Sequence, residues 1–314
     1  MNFENLGLLP TLQRILVDMG LYAPTPIQAE AVPAVLKSAD VWATAPTGSG
    51  KTLAFALPLL QRLLEAPRQT NFRRPVRTLV LVPTRELAVQ VGEVLTNLAY
   101  KLPQSLKVSI VFGGVSVNPQ MMALRGGADI VVATPGRLLD LVEHNALHLA
   151  HVAALVLDEA DRMLDLGFAD ELARVLDLLP KRRQNLLFSA TFPAAVQSLA
   201  NGLLHEPTRI EVETAPTEIP VIEQRAIEVD TGKRTPLLRH LIKTQGWQRV
   251  LVFVASQYTA EHVADKLRQA GVPAAALHAG RAYITGLQQV LEVRRSAPIT
   301  QHEFDMRPTR PPAD

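Results

Sequence analysis

The 314-residue chain contains no cysteine. That excludes a disulfide framework, a thiolate metal site and a cysteine nucleophile. Aromatic residues make up only 5%, too few for a platform on which bases stack one after another. No apolar run approaches the ~20 residues that cross a bilayer, and the N-terminus lacks the basic-then-apolar pattern of a secretory leader. There is no tandem repeat and no low-complexity tract. Charge of neither sign dominates: the formal net charge is +2 and the pI about 9.0. Such mild basicity permits a polyanionic partner without arguing for one. What remains is a globular composition, 47% hydrophobic and 20% charged, long enough for two domains. It suits a soluble protein of a reducing, cytoplasmic compartment with no membrane partner.

The stretch that organises the chain is Ala45–Thr52, A-P-T-G-S-G-K-T. A short apolar run, Asp40–Thr44, precedes it and reads as a strand. Behind it, Leu53, Leu57, Leu60 and Leu64 recur at helical spacing, predicting a helix over Leu53–Leu64. Strand, glycine-bearing loop, Lys-Thr and helix together form the context of a phosphate-binding loop. Gly48 and Gly50 let backbone N–H groups turn inward around phosphate oxygens, and the dipole of the following helix adds to that field. Lys51 would reach the β- and γ-phosphates, and the Thr52 hydroxyl would take a place on Mg²⁺. Ala45, Pro46, Thr47 and Ser49 complete the candidate loop, with Ala45 where the common pattern has glycine. The bland alternative, an ordinary glycine turn, does not account for Lys-Thr directly after it.

Further apolar runs at Thr78–Val82, Val108–Phe112, Asp129–Val132, Ala154–Leu157 and Asn185–Phe188 read as strands. Helices are expected at Ile27–Leu36 and Glu86–Leu98. An earlier helical face, Leu12, Ile15, Leu16 and Met19, is ended by Gly20 and the prolines of Pro24–Pro26. Arg68–Arg77 is a basic, polar loop. Continuous Val/Ile/Leu runs imply strands buried on both faces, hence an α/β fold with a parallel sheet, helices outside and right-handed crossovers. Glu213–Pro220 breaks the composition. The domain reading is therefore a first lobe at 1–212, a linker at 213–222, a partial second lobe at 223–280 and an unassigned tail at 281–314. In the second lobe Ile222–Val229, Arg249–Val254 and Val272–Leu277 read as strands, with helices at Thr235–Ile242 and Thr259–Ala270. One more helix fits Ile284–Val293, and the Pro- and Arg-rich Ser296–Asp314 reads as disordered.

Asp158-Glu159-Ala160-Asp161 directly follows a strand. Ligands of open parallel sheets sit beyond the carboxyl ends of the strands. Beside a bound triphosphate, Asp158 would hold Mg²⁺, and Glu159 would orient and deprotonate the attacking water. Alone, the four residues could be a solvated acidic turn capping a helix. Together with Lys51 and Thr52 they read as the second half of a nucleotide site, with Lys51, Asp158 and Glu159 as catalytic groups and Thr52 and Asp158 as metal ligands.

From Phe3 to about His278, nearly nine-tenths of its length, the chain resembles a DEAD-box ATP-dependent RNA helicase of the compact bacterial type. The resemblance implies two RecA-like lobes of the phosphate-loop NTPase class, with ATP, Mg²⁺ and RNA as ligands and a monomeric state. Phe3, Pro24-Thr25-Pro26-Ile27 and Gln28 match the adenine-recognising segment, and the Gln28 amide suits the N6 and N7 edge of adenine. The aromatic expected after Gly20 is replaced by Leu21, with Tyr22 one place later. Three stretches match RNA-contacting motifs: Pro83-Thr84-Arg85-Glu86, Gly113-Gly114 and Thr134-Pro135-Gly136-Arg137. Their N–H groups, hydroxyls and arginines suit phosphate and ribose rather than bases. Helix capping by Thr84 and Thr134, and a carboxylate partner for Arg85, are the structural alternatives. Asp161 with Ser189-Ala190-Thr191 matches the segment that couples hydrolysis to duplex opening.

Agreement with the family's pattern ends near Gly280. The V-A-T-D-x-A-A-R-G and H-R-x-G-R-x-x-R segments, which would supply RNA contacts and arginine fingers, do not occur in this chain. The expectation is a second lobe truncated or frame-shifted at that point. Two functional readings follow: an ATP-dependent RNA helicase, or a nucleotide- and RNA-binding fragment with little or no ATPase and unwinding.

Overall fold

The computed structural model describes residues 2–66, 74–212, 223 and 225–278. The chain divides into two units, Met1–Ala215 and Pro216–Asp314. The segment read as a linker at 213–222, the helix read at Ile284–Val293 and the tail at 281–314 lie outside the described residues. No helix among the described residues is long and apolar enough to cross a membrane.

The first unit opens with a 3-10 turn at Phe3–Leu6, then α1 (Pro10–Asp18) and α2 (Pro26–Leu36). Strand and helix then alternate through β1 (Val41–Thr44), α3 (Lys51–Glu65), β2 (Thr78–Leu81), α4 (Arg85–Tyr100), β3 (Val108–Val111) and α5 (Val117–Ala123). The alternation continues with β4 (Ile130–Ala133), α6 (Pro135–Glu143), β5 (Ala154–Asp158), α7 (Ala160–Asp165) and α8 (Ala169–Asp177). It closes with β6 (Gln184–Ser189), α9 (Ala194–Leu203) and β7 (Thr208–Glu211). The seven strands form one sheet in the order β3-β4-β2-β5-β6-β1-β7, with every neighbouring pair parallel. The sequence reading had each of the first six strands within a residue or two. It missed β7, because T-R-I-E has a single buried position, Ile210, and so no apolar run.

Side chains alternate between the two faces of a strand, and both faces of this sheet are covered. On β2, Val80 joins one core with Val132, Val156 and Phe188, among α1, α2, α3 and α4. Leu79 and Leu81 join the other, with Val131, Leu155 and Leu187, beneath α6, α8 and α9. Buried polar side chains knot the ends of elements that a hydrophobic core alone would leave loose. The Gln61 amide accepts from Leu9 N at 2.8 Å and donates to Gly7 O at 3.1 Å, tying the segment that carries Phe3 to α3. The Asp40 carboxylate accepts from Asn185 N at 2.7 Å and His205 N at 2.9 Å, locking the starts of β1, β6 and β7 together.

In the second unit, α10 (Arg234–Thr244) and α11 (Gln257–Gln269) fall where helices were expected. Where three strands were expected, the described residues of 222–229, 249–254 and 272–277 form none. A strand exists only through a partner's hydrogen bonds, and no such partner lies among the described residues of this unit. Leu251 is 76% and Phe253 88% exposed, so the apolarity that suggested a buried strand here has no core to enter.

Gly92, within α4, faces β3, and a Cβ built on it would overlap Cδ1 and Cγ1 of Ile110. Alanine in a helix interior gains about 1 kcal/mol over glycine, whereas forcing a methyl into packed atoms costs about 1–3 kcal/mol. Gly92→Ala is expected to lower the urea midpoint. A raised midpoint would show that α4 can lift off the sheet without penalty.

Candidate active site

Parallel pairing brings the ends of β5, β6 and β1 side by side, with β6 in the middle. These three ends carry Asp158, Ser189 and the 45–52 loop. Ala45 N donates to Ser189 O at 3.1 Å, pinning the loop to β6. Ala45 is buried and keeps negative φ, so alanine is unstrained where the common pattern has glycine. The left-handed turns come later, at Gly48 (φ +80°) and Gly50 (φ +93°). A side chain at Gly50 would also strike the Gln28 amide and Thr25 Oγ1. No side chain caps the N-terminus of α3, whose first N–H groups therefore point at whatever ligand the loop holds. The Lys51 ammonium, buried, donates back to Ala45 O at 2.9 Å, and Ser49 Oγ is buried without a partner.

Gln28, 3% exposed, bridges two segments. Its Oε1 accepts from Thr25 N at 3.0 Å and its Nε2 donates to Gly50 O at 3.1 Å. One N–H and one lone pair remain for a base. Phe3 is buried against the core and lines a cavity of about 430 Å³ with Arg14, Leu21 and Tyr22. Tyr22, one place off the expected aromatic position, is 70% exposed.

Asp158 is nearly buried at the end of β5. Burial raises its carboxyl from 3.8 to about 6, while the Lys51 charge opposes the rise. Glu159 follows in the left-handed region, φ +54°, where only a tight turn puts a non-glycine residue. Its carboxylate meets Arg162 Nη1 at 3.2 Å, a contact the sequence reading passed over because an i,i+3 pair on a helix surface is commonplace. Asp161 accepts from Thr191 N at 2.9 Å and Thr191 Oγ1 at 2.7 Å, and its own N–H donates to Ser189 Oγ at 3.2 Å. Burial would raise the Asp161 carboxyl, but the Thr191 and Ser189 hydrogen bonds outweigh it and hold it below the usual range. Asp161, Ser189 and Thr191 thus form one bonded unit that joins the start of α7 to the end of β6.

The three stretches expected to meet RNA follow β2, β3 and β4, which are neighbours in the sheet. Pro83 is buried and Glu86 exposed. Thr84 caps α4 by accepting from Leu87 N at 3.3 Å, and the Arg85 guanidinium lies 5.2 Å from the Phe112 ring centroid. Gly113, Gly114 and Gly136 are exposed, and Pro135 opens α6. Thr134 does not cap α6; its Oγ1 accepts from Gly113 N at 3.4 Å. Arg137 is largely buried, donating Nη2 to Val115 O at 2.7 Å and pairing Nε with Asp140 at 3.3 Å. Its Nη1 is buried without a partner.

The sequence pattern of the DEAD/DEAH box helicases matches residues 25–199, more than half of the chain. The chain belongs to that family. It is 39% identical over 275 residues to the ATP-dependent RNA helicase DeaD of Mycobacterium tuberculosis (strain H37Rv), covering 88% of this chain and 47% of that one. Against the Escherichia coli K12 protein of the same name it is 38% identical, covering 88% and 43%. Against the DEAD-box ATP-dependent RNA helicase CshA of Bacillus cereus it is 37% identical, covering 88% and 51%. The chain thus spans about half the length of the curated relatives it matches. A crystal structure of a DEAD box protein from the hyperthermophile Methanococcus jannaschii superposes with a TM-score of 0.62 at 33% identity, over 94% of this chain and 77% of that one.

The Asp158 environment has a measurable cost. With the carboxyl raised from 3.8 to about 6 in the fold, ionising it there costs up to about 3 kcal/mol, at about 1.4 kcal/mol per pH unit. That penalty is fully present above about pH 6 and vanishes below the unfolded value, so stability falls as pH rises through this window. Asp158→Asn is therefore expected to stabilise the ligand-free chain at pH 8 and to do little at pH 4. Unfolding midpoints measured at both pH values check this; an equal effect at the two would remove the charge as its cause.

Proposed function

We propose that this DEAD-box chain binds Mg·ATP in its first unit and couples binding and hydrolysis to local opening of RNA duplexes. The observation that carries the reading is the convergence of Lys51, Asp158 and the Asp161–Thr191 pair on the ends of three adjacent strands. The donor set fits a nucleotide bearing a divalent cation. An uncapped helix N-terminus and a buried ammonium suit phosphate oxygens, and a buried carboxylate with a raised pKa is relieved by a cation. No three His, Cys, Asp or Glu side chains cluster as a metal site among the described residues. Thr52 and Asp158 would hold Mg²⁺ with phosphate oxygens as further ligands, and the ion would neutralise charge on the triphosphate.

The chain's own residues then have distinct tasks. Lys51 leaves the Ala45 carbonyl and places its ammonium on the phosphates. Gln28 meets adenine with its remaining N–H and lone pair while still bonded to Gly50. Glu159 orients water and takes its proton, its carboxylate steered by Arg162. Asp161, Ser189 and Thr191 carry the state of the phosphate end to the β6 side of the sheet. Arg85, the Gly113-Gly114 turn and the 134–137 stretch hold the RNA backbone, so binding is weakly sequence-dependent and salt-sensitive.

A second reading, nucleotide and RNA binding with little unwinding, is favoured by the second unit, whose described residues hold helices but no sheet. An arginine finger contributes about 10³–10⁵-fold to turnover, and the H-R-x-G-R-x-x-R segment that would bring it is not in this sequence.

Calorimetry is expected to detect Mg·ADP or Mg·ATP binding that Lys51→Ala abolishes. Gln28→Ala should weaken adenine nucleotides more than guanine ones. A folded wild-type chain that binds no nucleotide would contradict both readings. Unwinding and RNA-stimulated ATPase, run beside a relative that carries both missing segments, separate them: comparable rates support the helicase, and background rates support the binding fragment. Arg85→Ala should weaken unrelated RNAs equally, and a strong preference for one sequence would defeat the backbone account.

A further inference from the structure

We infer that Gln120 is a positioning residue for RNA, acting through Phe112; the inference rests on the RNA reading above. Phe112 directly follows β3, the outermost strand at its end of the sheet, where one side of the backbone has no neighbouring strand. Gln120, on α5, fills that side. Its Oε1 accepts from Phe112 N at 3.0 Å and its Nε2 donates to Phe112 O at 3.0 Å. A carboxamide presents the same donor and acceptor as a peptide group, so Gln120 stands in for the next strand. Two bonds to one residue also fix its rotation about the chain, which a single bond does not.

Phe112 is where the three candidate RNA stretches meet. Its ring lies 5.2 Å from the Arg85 guanidinium. The next residue, Gly113, donates its N–H to Thr134 Oγ1 at 3.4 Å. Arg137 reaches Val115 O, just beyond the glycine pair, at 2.7 Å. The segments after β2, β3 and β4 are therefore joined around one residue whose orientation Gln120 sets. Freeing Phe112 lets the ring beneath Arg85 turn and lets the Gly113-Gly114 turn drift from the 134–137 stretch. The simpler account is that Gln120 only closes a sheet edge. The two differ in what they predict, because an edge closure affects stability alone. Phe112 is half-buried, so water can replace the lost bonds and the fold should survive their removal.

The test uses the full chain with Gln120→Met, similar in shape but without the amide. RNA affinity by fluorescence anisotropy on two unrelated single strands is expected to fall roughly fivefold, the worth of about one lost hydrogen bond. Mg·ADP affinity and the unfolding midpoint should match wild type, and amide exchange at Phe112 should quicken. If Gln120 acts through Phe112, adding Gln120→Met to Arg85→Ala should cost clearly less than it does alone. Should Gln120→Met fail to fold, Gln120→Leu, which likewise is neutral and lacks both the donor and the acceptor, carries the same expectations. Unchanged RNA affinity with faster Phe112 exchange would overturn the proposal alone, as would nucleotide affinity, RNA affinity and midpoint falling together. Absence of RNA binding by the wild-type chain would overturn the RNA reading and this inference with it.

Discussion

Parallel pairing is the constraint on which the rest of the first unit depends. Because all seven strands run one way, every turn that leaves a strand lies on one edge of the sheet. Residues far apart in the chain then meet without any contact having to be built for that purpose. The order β5-β6-β1 sets Asp158, Ser189 and the 45–52 loop in a row, and the order β3-β4-β2 does the same for the three candidate RNA-contacting stretches. Covering both faces with helices excludes water from the strands, and it also makes the charges at the strand ends costly.

That cost is visible at Asp158, which lies beside the Lys51 charge. Both are buried, and the carboxyl sits at about 6 because desolvation outweighs the lysine's charge. A core built for stability alone gains nothing from such a pair, and perturbed buried charges of this kind cluster at functional sites. The same tension appears at Glu159, held in a left-handed turn, and at Gly50, where no side chain fits beside Gln28.

The polar knots divide the labour differently. Asp40 and Gln61 fix the framework, gathering strand starts and anchoring the N-terminal segment that carries Phe3 to α3. Asp161, Gln28, Thr134 and Arg137 instead bond one candidate functional stretch to another. For these residues structural support and the candidate role are compatible. The Thr84 hydroxyl caps a helix, whereas the Thr134 hydroxyl, in a similar sequence setting, holds a glycine of the neighbouring loop.

The amino-acid sequence by itself determined the strand-loop-helix character of Ala45–Thr52, six of the seven strands and the places of Lys51, Asp158 and Glu159. Apolar period, glycine and Lys-Thr or Asp-Glu spacing are local, and local patterns survive in a linear string. Only the tertiary structure decided that β7 adds an edge strand, that the apolar runs of the second unit form no sheet among the described residues, that Gln28 grips Gly50 and that Gln120 clamps Phe112. Each of these depends on a partner supplied by a distant segment. A hydrogen bond's second half is written elsewhere in the chain, and folding alone brings it within reach.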